Sequence, residues 1–216
     1  MGTFLLVLFL WVFSVCLHEF AHAYVAYRGG DYTVVDKGYL TLNPMKYLDP
    51  INSVLMPVLF LVLGGIGLPG ASVYINRGLL RSHHWDSAVS LAGPGMNFAL
   101  MLLLVVLLHQ DAIRSSDYAP TLAFLALLQA SAVVLNLMPL PGFDGYGAIA
   151  PYLPPGLRQE LDQYGGYVML GFLMLIFLVP GFGALLWKLI GGLAALVDVP
   201  LGLAQVGLAE FRFWRH

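Results

Sequence analysis

The sequence predicts an all-α protein that crosses a membrane several times. Of its 216 residues, 59% are hydrophobic and only 10% are charged, whereas a soluble domain usually carries about 25% charged residues. The charges are missing from long apolar runs, most of which reach the about 20 residues that a helix needs to span a bilayer. These runs are residues 4–17, 51–75, 88–108, 118–143, 164–187 and 189–197.

From these runs we expect about five transmembrane helices, one re-entrant segment and one short strand-prone, membrane-associated region. All of them belong to a single membrane domain of residues 1–216, with a core of about residues 1–145 and C-terminal helices at about residues 163–210. The net charge of −2 and the lack of a basic cluster give no reason to expect a nucleic-acid partner.

The first helix is expected from Phe4 to Tyr27, because Arg28-Gly29-Gly30 ends its apolar stretch. No Lys or Arg precedes that stretch, and no small-residue cleavage site follows it. Cleaved signal peptides carry both features. We therefore interpret the segment as a helix of the mature protein.

Two segments after this helix are expected to depart from a plain helical span. Residues 31–50 are polar and turn-rich, and the alternation in residues 32–35 and 39–42 predicts short strands. Residues 51–68 are apolar but are interrupted by Pro57 and several glycines. Such residues break helices, so we expect this segment to enter the membrane and return to the side from which it came.

The strongest chemical signal is the pattern His18-Glu19-Phe20-Ala21-His22 in the first helix. Residues four apart lie on one face of a helix, so both imidazoles can bind one metal ion while Glu19 accepts a proton from water. The alternative is an accidental pair of packed histidines. Ionisable groups inside a membrane cost several kcal/mol unless they are used or paired, which favours the metal site.

A catalytic zinc needs a third protein ligand and an open position, and Asp144 is the best candidate. It lies between Phe143 and Gly145, just past a predicted membrane helix. Taken alone, residues 141–145 would be an ordinary turn. The histidine pair favours the ligand interpretation, because the metal requires one more donor.

Three motifs in the order of the chain resemble the signatures of the site-2 protease family of intramembrane zinc metalloproteases. They are His18-Glu19-Phe20-Ala21-His22, Gly93-Pro94-Gly95-Met96-Asn97 and Asn136-x-x-Pro139-x-x-x-x-Asp144-Gly145. Leu42-Asn43-Pro44 followed by Asp49-Pro50 resembles the compact branch without a PDZ or CBS domain. Tyr47 stands where that branch is expected to have a histidine.

The resemblance implies that His18, His22 and Asp144 bind one zinc ion per chain and that Glu19 is the general base. It also implies that Asn136 hydrogen-bonds the substrate backbone. A hydrogen bond between helices is the alternative for this amide, because a buried amide needs partners in either case.

The remaining motif residues are expected to support the site. Small residues such as Gly93 and Gly95 let helices approach closely, and Asn97 can tie the helices together. Pro94 accompanies them, and Pro139 ends the helix that carries Asn136.

Two further features are interpreted without a role in catalysis. The pair His83-His84 lies beside Arg81 and Asp86, which indicates a solvated patch next to the membrane and not a second metal site. Cys16 points to a different face of the first helix from His18 and is interpreted as a packing residue.

The resemblance implies hydrolysis of peptide bonds within or next to transmembrane segments, so the expected partners are a transmembrane protein or peptide substrate and the lipid bilayer. The alternative is a polytopic transporter or metal-binding scaffold without protease activity. Transporters distribute ionisable groups along a path, usually in two related halves, whereas here the intramembrane polar groups cluster in the first and fourth apolar runs. The sequence leaves open whether the chain forms a homo-oligomer.

Positive charge predicts the orientation of a multi-pass protein in the cell membrane. If residues 51–68 re-enter and both C-terminal runs span, most Lys and Arg share one face, which should be cytosolic. That face would carry Arg28, Lys37, Lys46, Arg77, Arg81, Arg158, Arg212 and Arg215. The active site should then open towards the cytosol, with the N-terminus outside.

Overall fold

The computed structural model describes residues 2–46 and 73–215. Within these ranges the regular structure is entirely helical. The α-helices are α1 (Gly2–Gly29), α2 (Thr33–Asp36), α3 (His83–Leu108), α4 (Asp111–Arg114), α5 (Ala119–Asn136), α6 (Asp144–Ile149), α7 (Pro155–Leu178), α8 (Pro180–Leu196) and α9 (Leu201–Phe211). Short 3-10 turns cover Pro44–Lys46, Arg77–Leu79, Ala150–Tyr152 and Phe213–Arg215.

Three of the described helices, α1, α3 and α5, are long and apolar enough to cross a membrane. Helices α7 and α8 reach that length only as a pair, bent by 92° at a short break, where Val179 is extended and Pro180 starts the second helix. Helix α9 has 11 residues, about 16 Å at 1.5 Å per residue, which is too short to span. The described residues thus contain three to four candidate spans, and the expected five are not confirmed.

Helix α5 lies at the centre of the molecule. It packs against α3, α9, α8 and α1, and 14 of its 18 residues are buried. The fully buried Ala123, Ala126 and Ala130 allow such close packing, because small side chains let helix backbones approach. The central position of α5 places its last residue, Asn136, inside the bundle.

The strand prediction for residues 32–35 is wrong, because Thr33–Asp36 forms a helical turn. The carboxylate of Asp31 accepts hydrogen bonds from the backbone N–H and the hydroxyl of Thr33, and such local bonds favour a turn over a strand. Val34 is fully buried in a cluster with Ala23 and Ala26 of α1. Residues 39–42 are irregular, so no strand forms there either.

The chain on both sides of residues 47–72 lies at one end of the bundle, which we call the Arg28 end after the last turn of α1. Lys37 donates a hydrogen bond to the carbonyl of Tyr74, and the Lys46 side chain lies against Gly38. The re-entrant prediction for residues 51–68 requires this arrangement. The segment itself lies outside the described residues, so its path stays a prediction.

The C-terminus lies at the opposite end, which we call the Thr3 end. The Thr3 hydroxyl donates to Glu210, and the ring of Phe4 stacks on Phe211 with centroids 5.1 Å apart. The expectation that Arg212 and Arg215 share the face of Arg28 is therefore wrong. The physical reason is that α7 and α8 qualify only together as one candidate span, and α9 is too short to make another.

Candidate metal centre

The structure brings together the three residues that the sequence marks as metal ligands. Helix α1 places His18 and His22 on one face, with their Nε2 atoms 3.0 Å apart. The Oδ2 atom of Asp144, the first residue of α6, lies 3.4 Å from the His18 Nε2, and its Oδ1 atom lies 3.4 Å from the His22 Nε2. Both histidines are buried and Asp144 is partly buried, so the cluster is shielded from bulk water.

These distances fit a tetrahedral zinc ion. Ligand atoms about 2.0–2.1 Å from zinc at tetrahedral angles lie about 3.3 Å from each other, close to the separations between the three side chains. The Oδ2 atom of Asp144 is buried and accepts no hydrogen bond within the described part of the chain. A buried oxygen without a partner is costly, and a cation at this position would satisfy it.

The pKa of the Asp144 carboxyl is lowered from its ordinary value. Burial alone would raise it, but the adjacent imidazoles of His18 and His22 outweigh burial. They favour the ionised carboxylate, which is the form that binds a metal.

Both histidines are oriented by oxygen acceptors behind them. The Nδ1 atom of His22 is 2.6 Å from the carbonyl oxygen of Val89, and that of His18 contacts the Oδ1 atom of Asn97. An N–H on each Nδ1 can donate to these oxygens, which leaves both Nε2 lone pairs facing Asp144. Metal-binding histidines use this arrangement.

Asn97 links three helices at the site. Its Oδ1 faces His18 of α1, and its amide nitrogen donates to Gln129 Oε1 of α5 over 2.7 Å. Gln129 is fully buried, and its role was not predicted from the sequence. The available signal was an amide within an apolar run, because polar groups in membrane helices usually have a function.

Gly93 leaves room for the histidine rings. A Cβ atom there would clash with the His22 Nε2 and would lie 2.5 Å from the His18 ring, so only glycine fits without a shift. Pro94 is buried next to it within α3. A Cβ atom added to Gly95 would have nothing within 4 Å, so the expectation that Gly95 mediates close packing is wrong.

We expect Gly93→Ala to lower zinc affinity by about 10- to 100-fold, as loss of an outer-shell partner does, because the methyl group displaces both rings. Gly95→Ala is the matched control in the same helix and should leave zinc affinity unchanged. Metal titration of the two purified variants measures the difference. Equal zinc affinity in both would contradict the steric role of Gly93.

Glu19 is buried beside the cluster, with its Oε1 4.0 Å from the His18 Nε2. Its Oε2 accepts a hydrogen bond of 3.0 Å from the backbone N–H of Val73. Residues 73–76, which we call the strap, run without regular structure across the site. The strap orients the carboxylate, and no pattern in the sequence indicated this contact.

Two charged side chains hold the strap in place. The buried Asp31 accepts the backbone N–H of Asn76 over 2.7 Å, and Lys37 donates to the carbonyl of Tyr74 over 3.0 Å. Asp31 thereby connects the end of α1 to the segment that touches Glu19. From the sequence, Asp31 was only the first residue of the strand-prone region, without a role.

Asn136 ends α5 next to this group. Asn136 is 4% exposed, and its side chain makes no hydrogen bond with the described residues, so that part of the chain gives no support to the helix–helix alternative. Pro139 lies in the turn that follows. A Cβ on Gly145 would clash with the Leu137 carbonyl oxygen, so this glycine allows the tight return that brings Asp144 to the histidines.

The cluster opens into a cavity of about 140 Å³. Its wall includes the three ligand candidates, Glu19, Asn136, the strap and Arg77. Arg77 is held by Asp86 and Ser90 of α3 and was also not predicted from the sequence. His83 and His84 lie outside, in the exposed first turn of α3, where His84 contacts the hydroxyl of Tyr152.

Curated relatives match this chain over most of its length. It is 42% identical over 215 residues to the protein named "Putative zinc metalloprotease Rip2" from Mycobacterium tuberculosis, a match that covers 99% of this chain and 82% of the relative. The protein of the same name from Mycolicibacterium smegmatis is 40% identical, with the same coverage. The Bacillus subtilis protein named "Putative zinc metalloprotease YwhC" is 34% identical over 83% of both chains.

The chain belongs to the site-2 protease family of zinc metalloproteases. No family model and no solved structure matches it. As a member of this family it is a membrane metalloprotease, and residues from all three of the motifs that resemble the family signatures meet at the candidate metal centre.

Proposed function

We propose that this protein is an intramembrane zinc metalloprotease of the HExxH type, which uses one zinc ion to hydrolyse peptide bonds within or next to transmembrane segments. The observation that carries the proposal is the cluster of His18, His22 and Asp144 with Glu19 beside it, inside a bundle of apolar helices. Its partners are a transmembrane protein or peptide substrate and the lipid bilayer.

In this proposal His18, His22 and Asp144 would hold a zinc ion, which would polarise the scissile carbonyl and make water more acidic. Glu19 accepts a proton from the attacking water and passes it to the nitrogen of the leaving amine. The N–H of Val73 keeps the carboxylate of Glu19 in place. The amide of Asn136 binds the substrate backbone near the scissile carbonyl.

A transport function is less well supported. A transporter needs polar groups along a path through the membrane. In the described part of the chain the buried ionisable residues are few, and the three-residue group that could bind a metal occurs at a single place.

Metal removal tests the proposal. We expect purified protein in detergent or lipid to contain one zinc ion and to cleave a peptide that carries a membrane segment. A chelator should abolish cleavage, and added zinc should restore it, because the activation of water depends on the metal in this mechanism. Protein that contains no zinc, or cleavage that persists without it, would contradict the proposal.

We further propose that the protein is a multi-pass protein of the cell membrane whose active site opens towards the cytosol. Positive residues are more numerous on the cytosolic side, and the Arg28 end carries more of them than the Thr3 end. The Arg28 end holds Arg28, Lys37, Lys46, Arg77, Arg81 and Arg158, and the Thr3 end holds Arg114, Arg212 and Arg215.

Thiol labelling tests this orientation. Single cysteines at positions 46, 77 and 114 in a Cys16→Ala background are exposed to an impermeant reagent in intact cells. We expect position 114 to react from outside, and positions 46 and 77 only after the cells are opened. Labelling of 46 and 77 from opposite sides would also exclude the re-entrant path for residues 51–68.

A further inference from the structure

A second, much smaller cavity lies next to the metal centre. It has a volume of about 10 Å³ and shares His18, Glu19 and Asn136 with the wall of the larger cavity. Trp11 and Val15 of α1 and Ala132 of α5 form much of the rest. Space of this size holds about one water-sized group.

The helical spacing explains where this cavity lies. Trp11, Val15 and Glu19 are four residues apart on one face of α1, and Ala132 precedes Asn136 by four residues on α5. Residues at this spacing stack along a helix face. The cavity therefore lies about one turn further into the bundle than the base and the substrate-binding amide, on the side of the Thr3 end.

We propose that this cavity is the specificity pocket for one of the two substrate residues that flank the scissile bond, and that it takes only a small side chain, alanine or serine. The inference rests on the proposed protease function. A peptide whose scissile carbonyl lies between Glu19 and Asn136 has its neighbouring side chains within reach of the cavity. A methyl or hydroxymethyl group fits the space. A leucine side chain does not fit.

The test uses a transmembrane peptide with one scissile bond, mapped by mass spectrometry. Each flanking residue is replaced in turn by glycine, alanine, serine, valine or leucine. At one of the two positions, leucine should lower kcat/KM at least about tenfold relative to alanine, the lower end of the discrimination that one or two methylene groups produce. Equal cleavage of the alanine and leucine peptides at both positions would overturn the proposal.

Variants of the pocket separate it from general effects of the substrate. Val15→Ala enlarges the cavity and should raise cleavage of the leucine peptide relative to the alanine peptide. Val106→Ala, at a position of α3 that is 59% exposed, is the matched control and should keep the wild-type ratio. Ala132→Val fills the cavity and should shift the preference to glycine. If none of these ratios changes, the pocket lies elsewhere.

Different results would contradict the protease function and the specificity pocket. No cleavage of any peptide by the zinc-loaded wild type would contradict the protease function itself, whereas cleavage without size dependence would contradict only the pocket.

Discussion

Glu19→Gln is expected to retain the zinc ion and to lose cleavage, with kcat lower by about 10²- to 10⁴-fold, the usual contribution of general acid–base catalysis. The substitution keeps the shape of the side chain. The amide oxygen of glutamine can still accept the Val73 N–H that binds Glu19 Oε2. The amide cannot accept a proton from water, so chemistry fails while the metal ligands stay in place.

Zinc content by elemental analysis and peptide cleavage are measured on the same preparation. Glu160→Gln, at an exposed position of α7, is the matched control and should keep both zinc and activity. Unchanged cleavage by Glu19→Gln would remove Glu19 from the mechanism. Loss of zinc in that variant would instead show that Glu19 supports the metal and does not act as the base alone.

Asp144→Ala is expected to lower zinc affinity by more than the about 10- to 100-fold that an outer-shell partner contributes, because it removes a direct ligand. Two histidines alone leave zinc without the three protein donors of a catalytic site. The variant also loses the carboxylate that lies 3.4 Å from both Nε2 atoms. Cleavage should disappear with the metal and return only in part at high zinc concentration.

Three controls accompany this variant. Asp117→Ala removes an exposed carboxylate from the loop before α5, and His83→Ala and His84→Ala remove exposed imidazoles from the start of α3. All three should keep wild-type zinc affinity in a competition titration with a chromogenic chelator. Full zinc occupancy and activity in Asp144→Ala would mean that the third ligand is another residue.

The sequence alone was sufficient for the membrane class, the family and the group of candidate ligands. Apolar runs are set by the requirement that a span be long and free of charge. The two histidines are close because one helix turn separates them, which needs no tertiary contact. Asp144 was found because the chemistry of the metal requires a third donor, although the sequence does not show how the chain returns to the histidines.

Only the tertiary structure decided what surrounds these residues. The bonds from Asn97 to Gln129 and from Val73 to Glu19 join segments that lie 32 and 54 residues apart, and no periodicity encodes such pairings. The space that Gly93 leaves for the rings and the open surroundings of Gly95 likewise depend on which helix face meets α1. The positions of Gly93 and Gly95 in the sequence do not show which of the two lies against α1.

The wrong strand prediction for residues 32–35 and the wrong position predicted for the C-terminus have the same cause. Alternating residues 32–35 predicted a strand, but the carboxylate of Asp31 binds Thr33 and Val34 packs under α1, so local capping and burial outweigh a short alternation. From hydropathy we expected both C-terminal apolar runs to span the membrane, but the chain bends by 92° between α7 and α8. Hydropathy measures length and composition, whereas contacts with α5 decide the path of a helix, and these contacts place the C-terminus beside Thr3.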